Sequence, residues 1–213
     1  MTSQQPPYSD RSYRSPAALA GGVLLLAVVL WIGGEAIVRG EGRAPLTAGA
    51  FMLCLVPLIS AFTLRPAVFA GADRARIRNP FRTITVPWGA VVSIRSVYSN
   101  ELVVEDGRKF QLWAIPVSLR ARRSAQRYNE RKASGRTPRR GFVAGGLFGM
   151  GGGIVDDDDG PRRPPGDEAI GTLRELAERN EGKGGEPTVR WAYEIIAPAA
   201  LGALATATLL LTG

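Results

Sequence analysis

Residues 76–113 read RIRNPFRTITVPWGAVVSIRSVYSNELVVEDGRKFQLW, the stretch of this chain patterned as a folded, water-soluble domain. Short runs of β-branched and aromatic residues alternate there with polar ones, and turn residues break them at Asn79-Pro80, Pro87 and Asp106-Gly107. With the residues just upstream, the spacing predicts six short strands, at 66–70, 75–79, 82–86, 91–98, 101–105 and 109–113. Ser99-Asn100 and Asp106-Gly107 are the tight hairpin connections. A sheet this small is not stable as a flat layer in water, so it must curl on itself or be covered by a helix.

Two segments offer such a helix. VSLRARRSAQRYNERKA at 117–133 carries six basic residues and little apolar surface after Leu119, which makes it a poor core helix. DEAIGTLRELAERN, from Asp167 to Asn180, places Ile170, Leu173, Leu176 and Ala177 on one face with acids in its first turn. The second is the better cap, and the capping unit is placed at 167–181. The Gly- and Pro-rich residues 134–166 read as a flexible insertion, and 182–190 as a linker.

Upstream, PAALAGGVLLLAVVLWIGGEAIV at 16–38 has one charge, Glu35, near its far end, and its length of about 20 residues suits a membrane-spanning helix. A signal peptide would have a shorter apolar core followed by polar mature sequence, whereas a second uncharged run, LTAGAFMLCLVPLISAFTL at 46–64, follows almost at once. The pair reads as a transmembrane helical hairpin, kinked at Pro57. WAYEIIAPAALGALATATLLLTG at 191–213 is a third span, with Trp191 and Tyr193 at the water interface and Glu194 within reach of headgroups. Ala199, Ala203 and Ala207 permit close approach to the first two spans. Residues 1–15 are polar and read as a disordered tail.

The turn between the first two spans holds Arg39 and Arg43, while Arg65, Arg74, Arg76, Arg78 and Arg82 follow the second. That asymmetry places the β-rich segment in the cytoplasm and the short turn outside. The expected localisation is the inner membrane, multi-pass.

The formal net charge of +8 points to an acidic partner such as anionic lipid or nucleic acid. With no histidine, the commonest general base and metal ligand is missing. Cys54, the single cysteine, lies in an apolar run, so an intrachain disulfide is excluded. No nucleophile-and-base constellation occurs, and the expectation is a non-enzyme with no cofactor and no metal.

Two basic sets are candidate contacts for anionic lipid headgroups or a protein partner. One surrounds the sheet: Arg74, Arg76, Arg78 and Arg82, with Arg95, Arg108 and Lys109 nearby. Arg76 and Arg78 alternate and so share a face with Arg74. The other is the 117–133 helix, with Arg120, Arg122, Arg123 and Arg127, then Arg131 and Lys132. On an anionic surface each basic residue contributes on the order of 1 kcal/mol. Nucleic acid is the weaker partner class, for want of a reading motif. GGLFGMGGGIV at 145–155 lacks the ending of a phosphate loop, and Asp156–Asp159 lacks the alternate spacing of a calcium loop. The first reads as flexible linker, the second as a solvated acidic run able to pair loosely with the basic 117–133 helix. Trp88, Trp113, Gly107 and Pro87 are structural candidates, with Trp88 at a corner packing inward.

The order of these elements resembles a known family. Two spans, then RIRNPFRTITVPWGAVVSI and a hairpin ending in DGRKFQLWAI, are similar to the bacterial pleckstrin-homology-like (PH-like) domain of actinobacterial membrane proteins, the group that includes the low-molecular-weight protein antigen. The resemblance covers about 65–113, together with the 167–180 helix as the family's C-terminal cap, and implies a seven-stranded, partly open antiparallel β-barrel closed by that helix; the barrel unit is placed at 65–116. It carries over no catalytic residues. The fold class expected is therefore a membrane protein of α+β type: a transmembrane hairpin, a small capped PH-like barrel and a C-terminal transmembrane helix. The expected function is a binding or scaffolding module at the inner membrane surface; the alternative is an accessory subunit of a transport or envelope-biogenesis complex acting through its spans.

Overall fold

The computed structural model describes residues 11–134 and 164–212. Its strands form two antiparallel sheets. The first has the order β1-β2-β3-β4-β8, built from Arg11–Tyr13, Ala67–Ala70, Arg74–Arg78, Arg82–Pro87 and Thr188–Trp191. The second has the order β5-β6-β7, from Val91–Ser96, Asn100–Val104 and Lys109–Gln111. All six expected strands are present, with ends shifted by one or two residues. The seven-stranded, partly open barrel expected from the resemblance is not closed: among the described residues, eight strands lie in two separate sheets.

The extra strands come from segments read as tail and linker. Arg11–Tyr13 (β1) pairs with β2, Tyr13 opposite Val68. Thr188–Trp191 (β8) pairs with β4, Ile84 opposite Val189. Neither segment is apolar enough to fold alone, but an edge strand needs only backbone partners, and β2 and β4 supply them. Residues 1–10, most of the 134–166 insertion, the glycine run at 145–155 and the Asp156–Asp159 run lie outside the described residues.

Alternation fixes which side chains enter the core. Val68, Ile77 and Ile84 form one inward register row, and Ala70, Ala75 and Val86 the next. Trp88, in a single 3₁₀ turn Trp88–Ala90, is fully buried, and its indole Nε1 donates to the Gly71 carbonyl at 2.9 Å. Two buried asparagines join loops to strands: Asn79 Nδ2 donates to the Gln111 carbonyl at 2.9 Å, tying the sheets together, and Asn100 Nδ2 to that of Ile115 at 2.7 Å.

Of the helices α3 (Leu119–Ala133) and α4 (Pro165–Arg179), the core is covered by α4. Ile170, Leu173 and Leu176 are buried against β5 and the Trp88 turn, each side chain contributing about 1.5–3 kcal/mol of apolar burial. Polar contacts fix its orientation: Arg174 Nη2 donates to the Ile94 carbonyl at 2.8 Å, and Asn180 Nδ2 to that of Ala72 at 3.3 Å.

Three helices are long and apolar enough to cross a membrane: α1 (Pro16–Arg39), α2 (Ala44–Ile59, prolonged by a π turn Ser60–Leu64) and α5 (Tyr193–Leu211). Ser15 caps α1, its Oγ accepting from Ala18 N at 3.3 Å. The π turn begins three residues beyond Pro57, and hydroxyls occupy carbonyls around it: Ser60 Oγ donates to Val56 O at 2.8 Å, Thr63 Oγ1 to Ile59 O at 2.6 Å. α2 packs between α1 and α5. The close approach uses Ala199 and Gly202 rather than the expected Ala203 and Ala207, which are exposed. A Cβ on Gly202 would run into the backbone of Leu53 and Cys54.

Candidate functional site

β3 is Arg-Ala-Arg-Ile-Arg, and since Ala75 and Ile77 are core residues, Arg74, Arg76 and Arg78 must emerge on the opposite face of the five-stranded sheet. On β4 the same rule puts Ile84 and Val86 inside and Thr83 and Thr85 outside. β8 continues the pattern. Two outward rows cross the sheet: Arg76, Thr85, Thr188, and, one step closer to the apolar helices, Arg78, Thr83, Arg190. They line a concavity of about 610 Å³ whose helix-side wall is Arg65, Trp191 and Glu194.

Arg65 has its charge satisfied. It joins the end of α2 to β2, donates from Nη1 to Glu194 Oε1 at 3.1 Å and from Nη2 to Thr83 Oγ1 at 3.3 Å, and holds the Asn79 carbonyl through Nε at 3.3 Å. The other arginines are different. Among the described residues, no carboxylate lies within ion-pair distance of Arg74, Arg76, Arg78 or Arg190. On β2, the outward ring of Phe69 gathers three guanidinium carbons around it, Arg78 at 5.0 Å, Arg76 at 5.9 Å and Arg14 at 6.0 Å from its centroid. Cation–π attraction of about 0.5–1 kcal/mol per exposed pair steadies these side chains without cancelling their charge.

The basic residues singled out in the sequence divide into separate places. Arg74, Arg76 and Arg78 come together in the concavity; Arg82 does not, because it has the inward parity of Ile84 and sits at the strand end opposite Trp191. Arg95 is exposed on the second sheet. Arg108 bonds Asp106 across the β6–β7 turn, where Nε meets Oδ2 at 2.7 Å, and this contact holds the Asp106 carboxyl below the usual carboxylate range. Gly107 takes φ 81° there, in the left-handed region that closes the turn.

On α3, Arg122 is not a free cation. Its Nε donates to Asp167 Oδ2 at 3.0 Å, and Nη2 reaches Ser96 Oγ, so it ties the starts of α3 and α4 to β5. The Asp167 contact raises the Arg122 pKa further. Arg120, Arg123 and Arg127 are exposed on α3, apart from the concavity; the side chains of Arg131 and Lys132 lie outside the described residues. Trp113 is half-exposed, its ring 5.9 Å from Phe62, which meets Phe81 edge-on at 5.3 Å. Pro87 packs against Gly185.

Sequence reasoning missed Arg14, Phe69, Thr83, Thr85, Thr188 and Arg190 as parts of this face. The alternation Thr-Val-Arg-Trp at 188–191 was the available signal, hidden because a four-residue run beside an apolar helix reads as its flank. Chemically, the face offers guanidinium forks and hydroxyl donors, the groups that recognise phosphate and carboxylate oxygens. Among the described residues no cluster of Cys, Asp and Glu side chains could hold a metal ion.

A family model described as a bacterial PH domain matches residues 65–140. The chain thus carries a bacterial PH-like domain, and the match runs from β2 through α3, leaving out β1, α4, β8 and the three apolar helices. No curated protein and no solved structure matches the chain.

Proposed function

We propose that the chain is a multi-pass inner-membrane protein, and that its three apolar helices hold the PH-like domain on the cytoplasmic face as a non-enzymatic binding or scaffolding module. The observation that carries this reading is the way the helices join the domain. Two residues, Arg14 and Ser15, separate β1 from α1; two, Arg65 and Pro66, separate the π turn from β2; one, Ala192, separates β8 from α5. All three junctions fall at the same end of the five-stranded sheet, so the domain has little freedom to leave the surface from which the helices depart.

Charge supports the orientation. Arg11, Arg14, Arg65, Arg78 and Arg190 cluster at the domain end of the helices, against Arg39 and Arg43 at the other, and of those two Arg39 is paired with Glu35 at 3.1 Å. Two apolar helices leading into the domain support placing the chain with the actinobacterial proteins it resembles. A periplasm-active reporter fused after Ser134 is expected to be silent in cells, and strong activity from it would overturn the topology. The transport or envelope-complex reading draws on Glu35 and Glu194, but these carboxylates face Arg39 and Arg65, which favours interfacial pairing over an ion path.

A further inference from the structure

We infer that the outer concavity of the five-stranded sheet is a phosphate-binding site, and that the phosphate it takes belongs to an anionic phospholipid headgroup of the leaflet from which the domain emerges. The inference deepens the membrane-anchored reading above and rests on it.

Repulsion is the first reason. On a strand, residues two apart lie about 7 Å from each other, and Arg74, Arg76 and Arg78 occupy three successive outward positions of β3. Arg14 comes in from the β1–α1 junction to share the Phe69 ring with two of them, and Arg190 stands across Thr83 from Arg78. Five cations thus converge on a face where the described lining holds one carboxylate, Glu194, which is bonded to Arg65; its field reaches Arg190, but it lies within ion-pair distance of none of the five. A bound anion relieves that repulsion, and a phosphate does so with geometry as well as charge, since its oxygens accept two parallel bonds from one guanidinium.

The second reason is the lining. Thr83 supplies a hydroxyl between Arg78 and Arg190 in one row, Thr85 and Thr188 supply two more beside Arg76 in the other, and the volume of about 610 Å³ falls within the usual range of roughly 300–1,000 Å³ for small-ligand sites. The third is position. The Arg78, Thr83, Arg190 row is the one beside the helix junctions, and the wall there contains Trp191, which is half-exposed and separated from α5 by Ala192 alone. Indole rings favour that depth, where one side meets hydrocarbon and the other water. A phosphate at headgroup level therefore lies alongside the pocket.

β8 is indispensable to this site. It lies outside the part of the chain that matches the PH family, yet it contributes Thr188, Arg190 and Trp191. The site is thus a composite of the PH-like sheet and the strand that leads into α5.

The test uses the full chain purified in a neutral detergent and examined by native mass spectrometry with phosphatidylglycerol, with phosphatidylcholine as the zwitterionic comparison and glycerol 3-phosphate as the free phosphate ester. We expect one phosphatidylglycerol retained per chain, and at least tenfold weaker retention in the Arg78→Gln/Arg190→Gln variant. An Arg120→Gln/Arg123→Gln variant on α3 removes the same charge elsewhere and should retain lipid as the parent does. Both substituted pairs are on surface positions outside the core, and an unchanged melting temperature verifies that the variants fold. Displacement by millimolar glycerol 3-phosphate, with no lipid retained, would keep the phosphate chemistry and overturn the lipid as its source. Equal lipid retention by parent and Arg78→Gln/Arg190→Gln, or equal loss in the α3 variant, would overturn the site. The reporter after Ser134 reads orientation independently, so a silent reporter with no lipid bound sinks this inference alone.

Discussion

Trp88 shows how one side chain can hold a small domain in register. Its ring is fully buried at the point where the first sheet passes into the second, and its Nε1 satisfies the Gly71 carbonyl in the loop between β2 and β3. Trp88→Ala would remove that packing, leave a cavity and strip the part-buried Gly71 carbonyl of its donor, at a cost of about 3–5 kcal/mol. Against a total stability of about 5–15 kcal/mol, this is enough to unfold much of the population. Denaturant unfolding of the solubilised chain should show the midpoint falling steeply, and an unaltered curve would mean the ring contributes little to the fold. Asp106 is a smaller residue-scale device. Its carboxyl is held low by Arg108, so its support for the β6–β7 turn is present above the ordinary carboxylate pKa and fades as pH falls through the lowered value.

At the scale of elements, the sequence and the fold part company most clearly where helices meet and where strands end. The sequence suggests an alanine stripe in the last apolar helix, but the packing of α5 on α2 uses Ala199 and Gly202, and the crossing brings the backbone of Leu53 and Cys54 close against Gly202. Gly202→Val should force the helices apart, and Ala203→Val, on the exposed side, should not. Cys54, the single cysteine and partly buried in α2, reports the difference: its labelling by a membrane-permeant maleimide is expected to quicken several-fold in Gly202→Val and to stay unchanged in Ala203→Val. The two edge strands follow the same logic in reverse. β1 and β8 were illegible because their pattern is too short and too polar to announce a strand, and they exist because β2 and β4 have backbone groups to pair.

For the whole molecule, the consequence is that helices and domain are not two modules in series. The PH-like sheet takes its edge strands from the segments that lead into α1 and α5, so a chain truncated after Glu186 loses α5, β8 and the Arg190 wall of the concavity together. The open edge of β4 should leave the domain more easily breached, with limited proteolysis about tenfold faster, equivalent to about 1.4 kcal/mol of opening free energy. Equal protease resistance would show that the sheet is complete without the third helix.

By itself, the sequence determined what periodicity and composition can encode: the six central strands, the Asp106-Gly107 turn, α4 as the cover through Ile170, Leu173 and Leu176, the inward place of Trp88, the three apolar helices, and the common face of Arg74, Arg76 and Arg78. These follow from side-chain spacing within one segment, which a linear chain displays directly. Tertiary structure decided the rest. It left the two sheets unclosed, recruited β1 and β8, turned Arg82 away, engaged Arg122 with Asp167, and brought Arg14, Phe69 and Arg190 to a face assembled from segments as far as 176 positions apart in the numbering, from residue 14 to residue 190. Pairing across such separations depends on which backbone edges and charges are left unmatched once the core has formed, and local pattern carries no record of that.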